Sequence, residues 1–355
     1  MEATSRERIH MVADELSAID FCYEQGWTDG LPVVPPVVAR VNAMLAATTL
    51  PPDHVLAEHL PTKRRCRVFD AAVNAVMAGC LPAYFPVIVA ALEAVNVHEY
   101  NFHASGASTG GSAPLLILSG PIVDELGMNA GANVFGPGNR ANATLGRTLR
   151  LIILNVFKMT PGIADHSTQG FPGKYSFCIA ENALANPWEP LNVELGYPAD
   201  VSTVTVFAGS GTCSLENHGG GQPEQILDTF ADTIGSYALI TPGESVLVLS
   251  PEHARNIAAA GWTKQQVREY LFARACRPKG VLQRLGKTKD ELQPGEEDEM
   301  MHRGLSPDDF LVLVAGGDAG GHSTYVQSWS RGRSSERQTR PIHPGTTAPV
   351  EGGTR

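Results

Sequence analysis

The chain has 355 residues, room for one large or two medium domains. With 43% hydrophobic and 18% charged residues it can bury a sizeable core, and its net charge of −10 argues against non-specific nucleic-acid binding and against docking on an anionic membrane. No apolar run is long enough to span a bilayer; the nearest, around Leu149–Phe157, is too short.

The first residues are polar and charged, with no apolar core of the signal-peptide kind. Apolar residues at helical spacing (Ile9, Val12, Leu16, Ile19, Tyr23) predict a helix over 5–25, ended by Gly26. Asp29-Gly30 reads as a turn, residues 31–34 as extended and Pro35-Pro36 as a stop, followed by a short helix over 37–46. Residues 53–60 read as a strand. Residues 67–79 and 82–95 read as two Ala-rich helices split at Cys80-Leu-Pro82. A long Ser-, Gly- and His-rich loop is expected over 98–113, then a buried strand over 115–118 and a helical turn over 121–126.

Next comes Gly136-Pro-Gly138, a tight turn opening an apolar helix that carries Arg140, Arg147 and Arg150. Glycine turns at helix starts point backbone N–H groups at an anion. Gly136, Gly138, Asn139, Arg140 and Asn142 are therefore candidate substrate-binding residues, together with Lys174. The stretch matches the Gly-x-Gly-x-x-Ala dinucleotide fingerprint in form. Pro137 inside it, the loop in front of it and the absence of a matching acidic residue weaken that reading. The plainer alternative is a buried helix whose Arg147 and Arg150 make internal ion pairs.

Strands are expected over 175–180, 201–207, 245–250 and 310–315, and helices over 223–238, 251–260 and 263–275. Residues 285–303 read as a charged surface excursion. Two strands run into Gly-rich segments, Val204–Gly211 and Leu311–Gly317, with a helix, a strand and a helix between them. This alternation predicts an α/β fold with a mixed or parallel sheet flanked by helices, in one or two lobes. The expected division is a helix-rich lobe over 1–190, an α/β lobe over 200–328 and a disordered tail over 331–355. In such folds ligands lie beyond the carboxyl ends of strands.

His218 and His322 each follow a strand and a Gly-rich segment, so both are expected at the same sheet edge as candidate catalysts. His98 and His103, five apart beside Glu99, form an alternative metal site. The six cysteines (Cys22, Cys66, Cys80, Cys178, Cys213, Cys276) include no Cys-x-x-Cys pair, which fits free thiols in a reducing cytoplasm. Cys80, Cys178 and Cys213 are the candidate nucleophiles. Asp29 and Glu181 are candidate acid–base groups. Glu252, in the first turn of its helix, is read as complementing the helix dipole.

Several segments resemble an uncharacterised bacterial family: Thr28-Asp-Gly-Leu-Pro-Val-Val-Pro-Pro36, Asn74–Cys80, Gly136–Thr144, Gly173-Lys-Tyr-Ser-Phe-Cys178 with Ala180-Glu-Asn182, Ser250-Pro-Glu-His-Ala254, and Gly317–Ser323. The resemblance runs to about Tyr325. The family is associated with proteins of the UGSC type, named for a selenocysteine-Gly-Ser-Cys motif. This chain lacks that motif; Gly211-Thr-Cys213 is its nearest counterpart. The resemblance implies a thiol or redox neighbourhood and brings no activity with it. The expected function is an enzyme acting on a small anionic metabolite by thiol- or His-assisted addition–elimination or hydrolysis. A thiol-redox or scaffolding subunit and a His-ligated metal enzyme are the alternatives. No cofactor is evident. The expected partners are the anionic substrate, a second copy of the chain and a small thiol or selenoprotein-like protein.

Overall fold

The computed structural model describes residues 9–237, 242–288, 291–318, 320–329 and 334–343. Its helices, in chain order, are α1 (Glu15–Glu24), α2 (Val38–Leu45), α3 (Val68–Ala78), α4 (Phe85–Val95), α5 (Phe102–Ala107), α6 (Ile122–Glu125), α7 (Arg140–Asn155), α8 (Leu191–Glu194), α9 (Pro223–Ser236), α10 (Pro251–Ala259), α11 (Lys264–Arg274) and α12 (Lys279–Arg284). Its strands are β1 (Val55–His59), β2 (Arg64–Arg67), β3 (Ala113–Ser119), β4 (Cys178–Ala180), β5 (Thr203–Glu216), β6 (Ser245–Leu249), β7 (Cys276–Pro278), β8 (Met300–His302), β9 (Phe310–Val314), β10 (His322–Ser328) and β11 (Gln338–Pro341).

Local chemistry sets many of these boundaries. Asp14 caps α1 by accepting from the Ser17 amide, so the helix starts there and residues 9–13 are not helical. Gly79 ends α3 in the left-handed conformation at φ +94°. Ser250 caps α10, and a Thr263–Gln266 capping box opens α11. The segment expected as a loop over 98–113 carries α5, with Asn101 at φ +55° turning the chain into it.

One mixed sheet organises the molecule, in the order β4-β3-β5-β10-β6-β9, with β11 also paired to β5. β3 and β4 are parallel, as are β6 and β9; the other pairings are antiparallel. The sheet curls until its two edges meet, where the Asn182 amide beyond β4 donates to the Val314 carbonyl of β9 at 2.8 Å. The inner face buries Leu115, Ile117, Ile179, Phe207, Val248 and Leu313 against one another. The outer face of β3, β4 and the first half of β5 packs on α3, α4 and α7. The outer face of the second half of β5, with β6, β9 and β10, packs on α9, α10 and α11.

β5 serves both outer layers because its side chains change face midway. Val204, Val206 and Ala208 point to the first layer, but Cys213 and Leu215 point to the second. Between them the register against β10 slips by one residue near Gly209–Thr212. One extra residue in a strand moves every later side chain to the opposite face. The first Gly-rich segment is therefore a bulge inside a 14-residue strand rather than a loop at a strand end. The expected tail also adds structure, since β11 pairs with Thr203–Val206 and Ile342 is buried in the first core. Residues 331–333 and 344–355 lie outside the described residues.

Candidate functional site

A cleft of about 620 Å³ opens beside α7. The Gly26–Asp29 turn, Arg150 and Leu154 of α7, and the loop from Thr160 to Tyr175 line it. Asp29, Arg150, Asp165 and Lys174 are the charged residues among those lining it. Asp165 is buried at its base and Lys174 reaches Asp165 Oδ2 at 2.5 Å. The Lys174 ammonium also donates to Ser167 Oγ at 2.5 Å, and that hydroxyl donates to Asp165 Oδ1 at 2.5 Å. The Ser167 amide donates to the same carboxylate oxygen, which fixes the Asp-His-Ser turn. The three side chains form a closed triangle of hydrogen bonds.

Arg150 stands next to this triangle. Its side chain is 13% exposed, and its partner among the described residues is Asp165 Oδ2, at 3.5 Å. A guanidinium carries five donors, so most of this one remains available to a ligand in the cleft. Burial lowers the pKa of both Arg150 and Lys174, with Asp165 opposing the shift in each. Burial raises the Asp165 carboxyl, but the bonds from Lys174 and Ser167 outweigh it and hold its pKa below the usual value. A small pocket of about 20 Å³, room for one water, is also lined by Arg150, Asp165 and Lys174.

Asp29 and Lys174, expected as acid–base and substrate-binding residues, are thus brought to one cleft. Asp29 is fully engaged there. Arg147 grips both of its oxygens at 2.8 Å and also donates to the carbonyls of Leu31 and Pro32. This pair clamps the Thr28–Pro32 turn onto α7, as the internal ion-pair reading of Arg147 anticipated.

The other candidates lie elsewhere. Asn139 caps α7 with its own side chain, and Asn142 exchanges two hydrogen bonds with the Asn129 backbone. Arg140 is exposed and gives its Nε to the Gly79 carbonyl. Gly136 and Gly138 make a turn closed by Asn133, whose side chain donates to Pro137 O. None of these residues lines the cleft. Cys80 and Cys178 are neighbours between α3, α7 and β4, both buried, and burial raises both thiols. Cys213 is half-buried on the outer face of β5 against Tyr237. Glu181 is buried and saturated: Ser119 Oγ, Asn186 Nδ2 and the Leu191 amide all donate to it.

His218 and His322 do meet at one sheet edge, with ring centroids 4.9 Å apart and planes nearly perpendicular. Glu216 joins them, its Oε1 3.3 Å from His218 Nε2. His98 and His103 do not form a three-ligand group with Glu99 among the described residues. All six cysteines are free, and no helix among the described residues is long and apolar enough to cross a membrane.

Sequence reasoning missed Asp165 and Ser167 as chemistry. The available signal was Asp165-His-Ser167 seven residues ahead of Lys174 in a Gly- and Pro-rich loop. The contact itself forms only because that loop folds back on α7. Set against models of known protein families, the chain matches none, and no curated protein matches its sequence.

Proposed function

We propose that the protein is an enzyme that hydrolyses a small carboxylate-bearing ester or amide in the Arg150–Lys174 cleft. The observation that carries this reading is the Asp165–Ser167–Lys174 triangle, with every side at 2.5 Å, in the wall of a cleft that holds a largely unspent guanidinium. A hydroxyl within hydrogen-bond reach of a base that a third group orients is the arrangement of an activated nucleophile.

Arg150 pairs with the substrate carboxylate and sets its position. Neutral Lys174 takes the Ser167 proton as Oγ adds to the substrate carbonyl carbon. The tetrahedral adduct collapses, and the Lys174 ammonium returns that proton to the departing oxygen or nitrogen. Water, deprotonated by Lys174, then adds to the acyl-serine carbonyl, and as the adduct collapses and the C–Oγ bond breaks the Lys174 ammonium returns that proton to Ser167 Oγ, releasing the acid. Asp165 holds both partners in place throughout. The burial that lowers the Lys174 pKa favours the neutral form that the first step needs. The rate should therefore rise with pH through the lowered Lys174 pKa and level off before 10.5, the ordinary lysine value.

The buried, pKa-raised Cys80 and Cys178 lend no support to a thiol-assisted form of the reaction, so its chemistry is assigned to Ser167 and Lys174. The free thiols favour a cytoplasmic location. Two of the segments that carry the family resemblance, 28–36 and 173–178, contribute lining residues to the cleft.

Nitrophenyl hemisuccinate, which carries a free carboxylate, and neutral nitrophenyl acetate are the test substrates. Turnover of the anionic ester is expected to fall about 10²-fold or more in Ser167→Ala and Lys174→Met. Arg150→Met should remove the preference for the anionic ester. Turnover that is absent in the intact protein, or unchanged in the first two variants, would overturn the reading.

A further inference from the structure

A second constellation lies outside the cleft, at the edge where the carboxyl ends of β5, β6 and β9 emerge. Glu216 closes β5 and is the register partner of His322, which opens β10. His218 follows two residues after Glu216. The candidate ligand atoms of these three side chains all lie within 4.8 Å of one another.

The backbone holding them is built rather than loose. Every polar group of Asn217, between Glu216 and His218, has a partner. Its amide donates to Gly321 O and its carbonyl accepts from His253 Nε2. Its side chain accepts from the Gly220 amide and donates to Gln225 O and Thr229 Oγ1. Across from it, Glu252 accepts from the amides of Gly320 and Gly321 at 2.9 and 3.0 Å, fixing the turn into His322. The Glu252 bonds give that carboxylate a definite task beyond complementing a helix dipole.

Gly321 is the tightest point of the arrangement. It has φ +51°, and a Cβ there would stand 2.9 Å from His218 Nδ1 and 2.8 Å from Asn217 O. Any larger residue would push the His218 ring away from its partners. A strand ladder on one side and a saturated asparagine on the other therefore present two imidazoles and a carboxylate from one spot. All three are exposed, so a bound ion would keep open positions.

We propose that Glu216, His218 and His322 form a site for a divalent first-row transition metal ion. Two imidazoles and one carboxylate suit Zn²⁺, Co²⁺, Mn²⁺ or Fe²⁺ better than Mg²⁺ or Ca²⁺, which prefer all-oxygen shells. The site does not depend on the hydrolase reading, because none of its residues lines the cleft.

The test uses the full chain without an affinity tag, stripped with chelator and titrated with Co²⁺ and then Zn²⁺, following Co²⁺ visible absorption and heat of binding. One equivalent of Co²⁺, displaced by Zn²⁺, is expected. His218→Ala and His322→Ala should each weaken binding about 100-fold, at least the effect of losing an outer-shell partner, and a variant lacking both should abolish the absorption. Circular dichroism and melting temperature establish that the variants are folded. Binding that survives in the folded double variant, or that is lost in His98→Ala or His103→Ala instead, would overturn the proposal. So would the absence of saturable binding in the intact chain.

Discussion

A carboxylate whose oxygens are both held is a fastener, and Asp29 is one. Its side chain is 2% exposed and Arg147 meets it in two parallel bonds. Removing one partner leaves the other buried without compensation, which costs about 3–5 kcal/mol. Arg147→Ala should lower the unfolding free energy by that amount, read as a lower urea midpoint at unchanged m, and Asp29→Asn should do less because its amide still accepts one bond. A loss below about 1 kcal/mol for Arg147→Ala would mean that the clamp is not rigid. The thiols give a second residue-scale expectation. Cys22, Cys66, Cys80, Cys178 and Cys276 are buried, and burial raises each of them; Cys213 is the one partly exposed. An aromatic disulfide reagent should therefore titrate one thiol in the native protein and six in denaturant. Two or more fast thiols in the native state would contradict the burial of the other five.

At the scale of elements, α7 ties the structure together. Its Arg150 faces the cleft, its Arg147 holds the Asp29 turn, and its Leu145, Leu149 and Ile152 fill the first core. It can lie close to the strand side because of Gly146. A Cβ there would meet the Phe177 backbone nitrogen at 2.5 Å, and backbone has little room to give. Gly146→Ala should cost about 1–3 kcal/mol through overpacking, despite alanine's higher helix propensity. It should also loosen the Gly173–Phe177 segment that carries Lys174. Hydrogen exchange across residues 173–178 checks this directly; unchanged exchange with unchanged stability would refute it. The apolar period of α7 was legible in the sequence, whereas Asn139, read there as a substrate-binding residue, is its cap. That Gly146 marks a close contact with Ser176 and Phe177, on the way into β4, was not legible, because the distance is closed only by the packed fold.

At the scale of the whole molecule, one sheet joins the two stretches that the sequence left as one or two lobes. β3 and β4 come from the first stretch, and β5, β6, β9 and β10 from the second. β5 lies against both helical layers, and β11 returns from the far end of the chain to pair with it. A shared sheet couples the halves, so thermal unfolding should give one cooperative transition by both circular dichroism and tryptophan fluorescence. Two resolved transitions would show that the layers melt separately. Deleting residues 338–355 should lower the melting temperature, since it removes the β11 pairing and the buried Ile342.

Local sequence specifies the element types wherever periodicity is long or β-branched runs are continuous: α3, α4, α7, α9, α10, α11, and the buried cores of β3, β6 and β9. It also brought His218 and His322 to one edge, because strand direction follows from the alternation of elements. Short strands without an apolar run, such as β2, β7 and β11, carried no local signal and form only against a partner. The bulge in β5 was hidden for a related reason: Gly209-Ser-Gly211 reads as a loop until neighbouring strands hold it in register. The cleft was decided by tertiary structure alone. Asp165, Ser167, Lys174 and Arg150 meet because the loop from Thr160 to Tyr175 folds back on a helix. That approach is set by packing, to which no local pattern of residues corresponds.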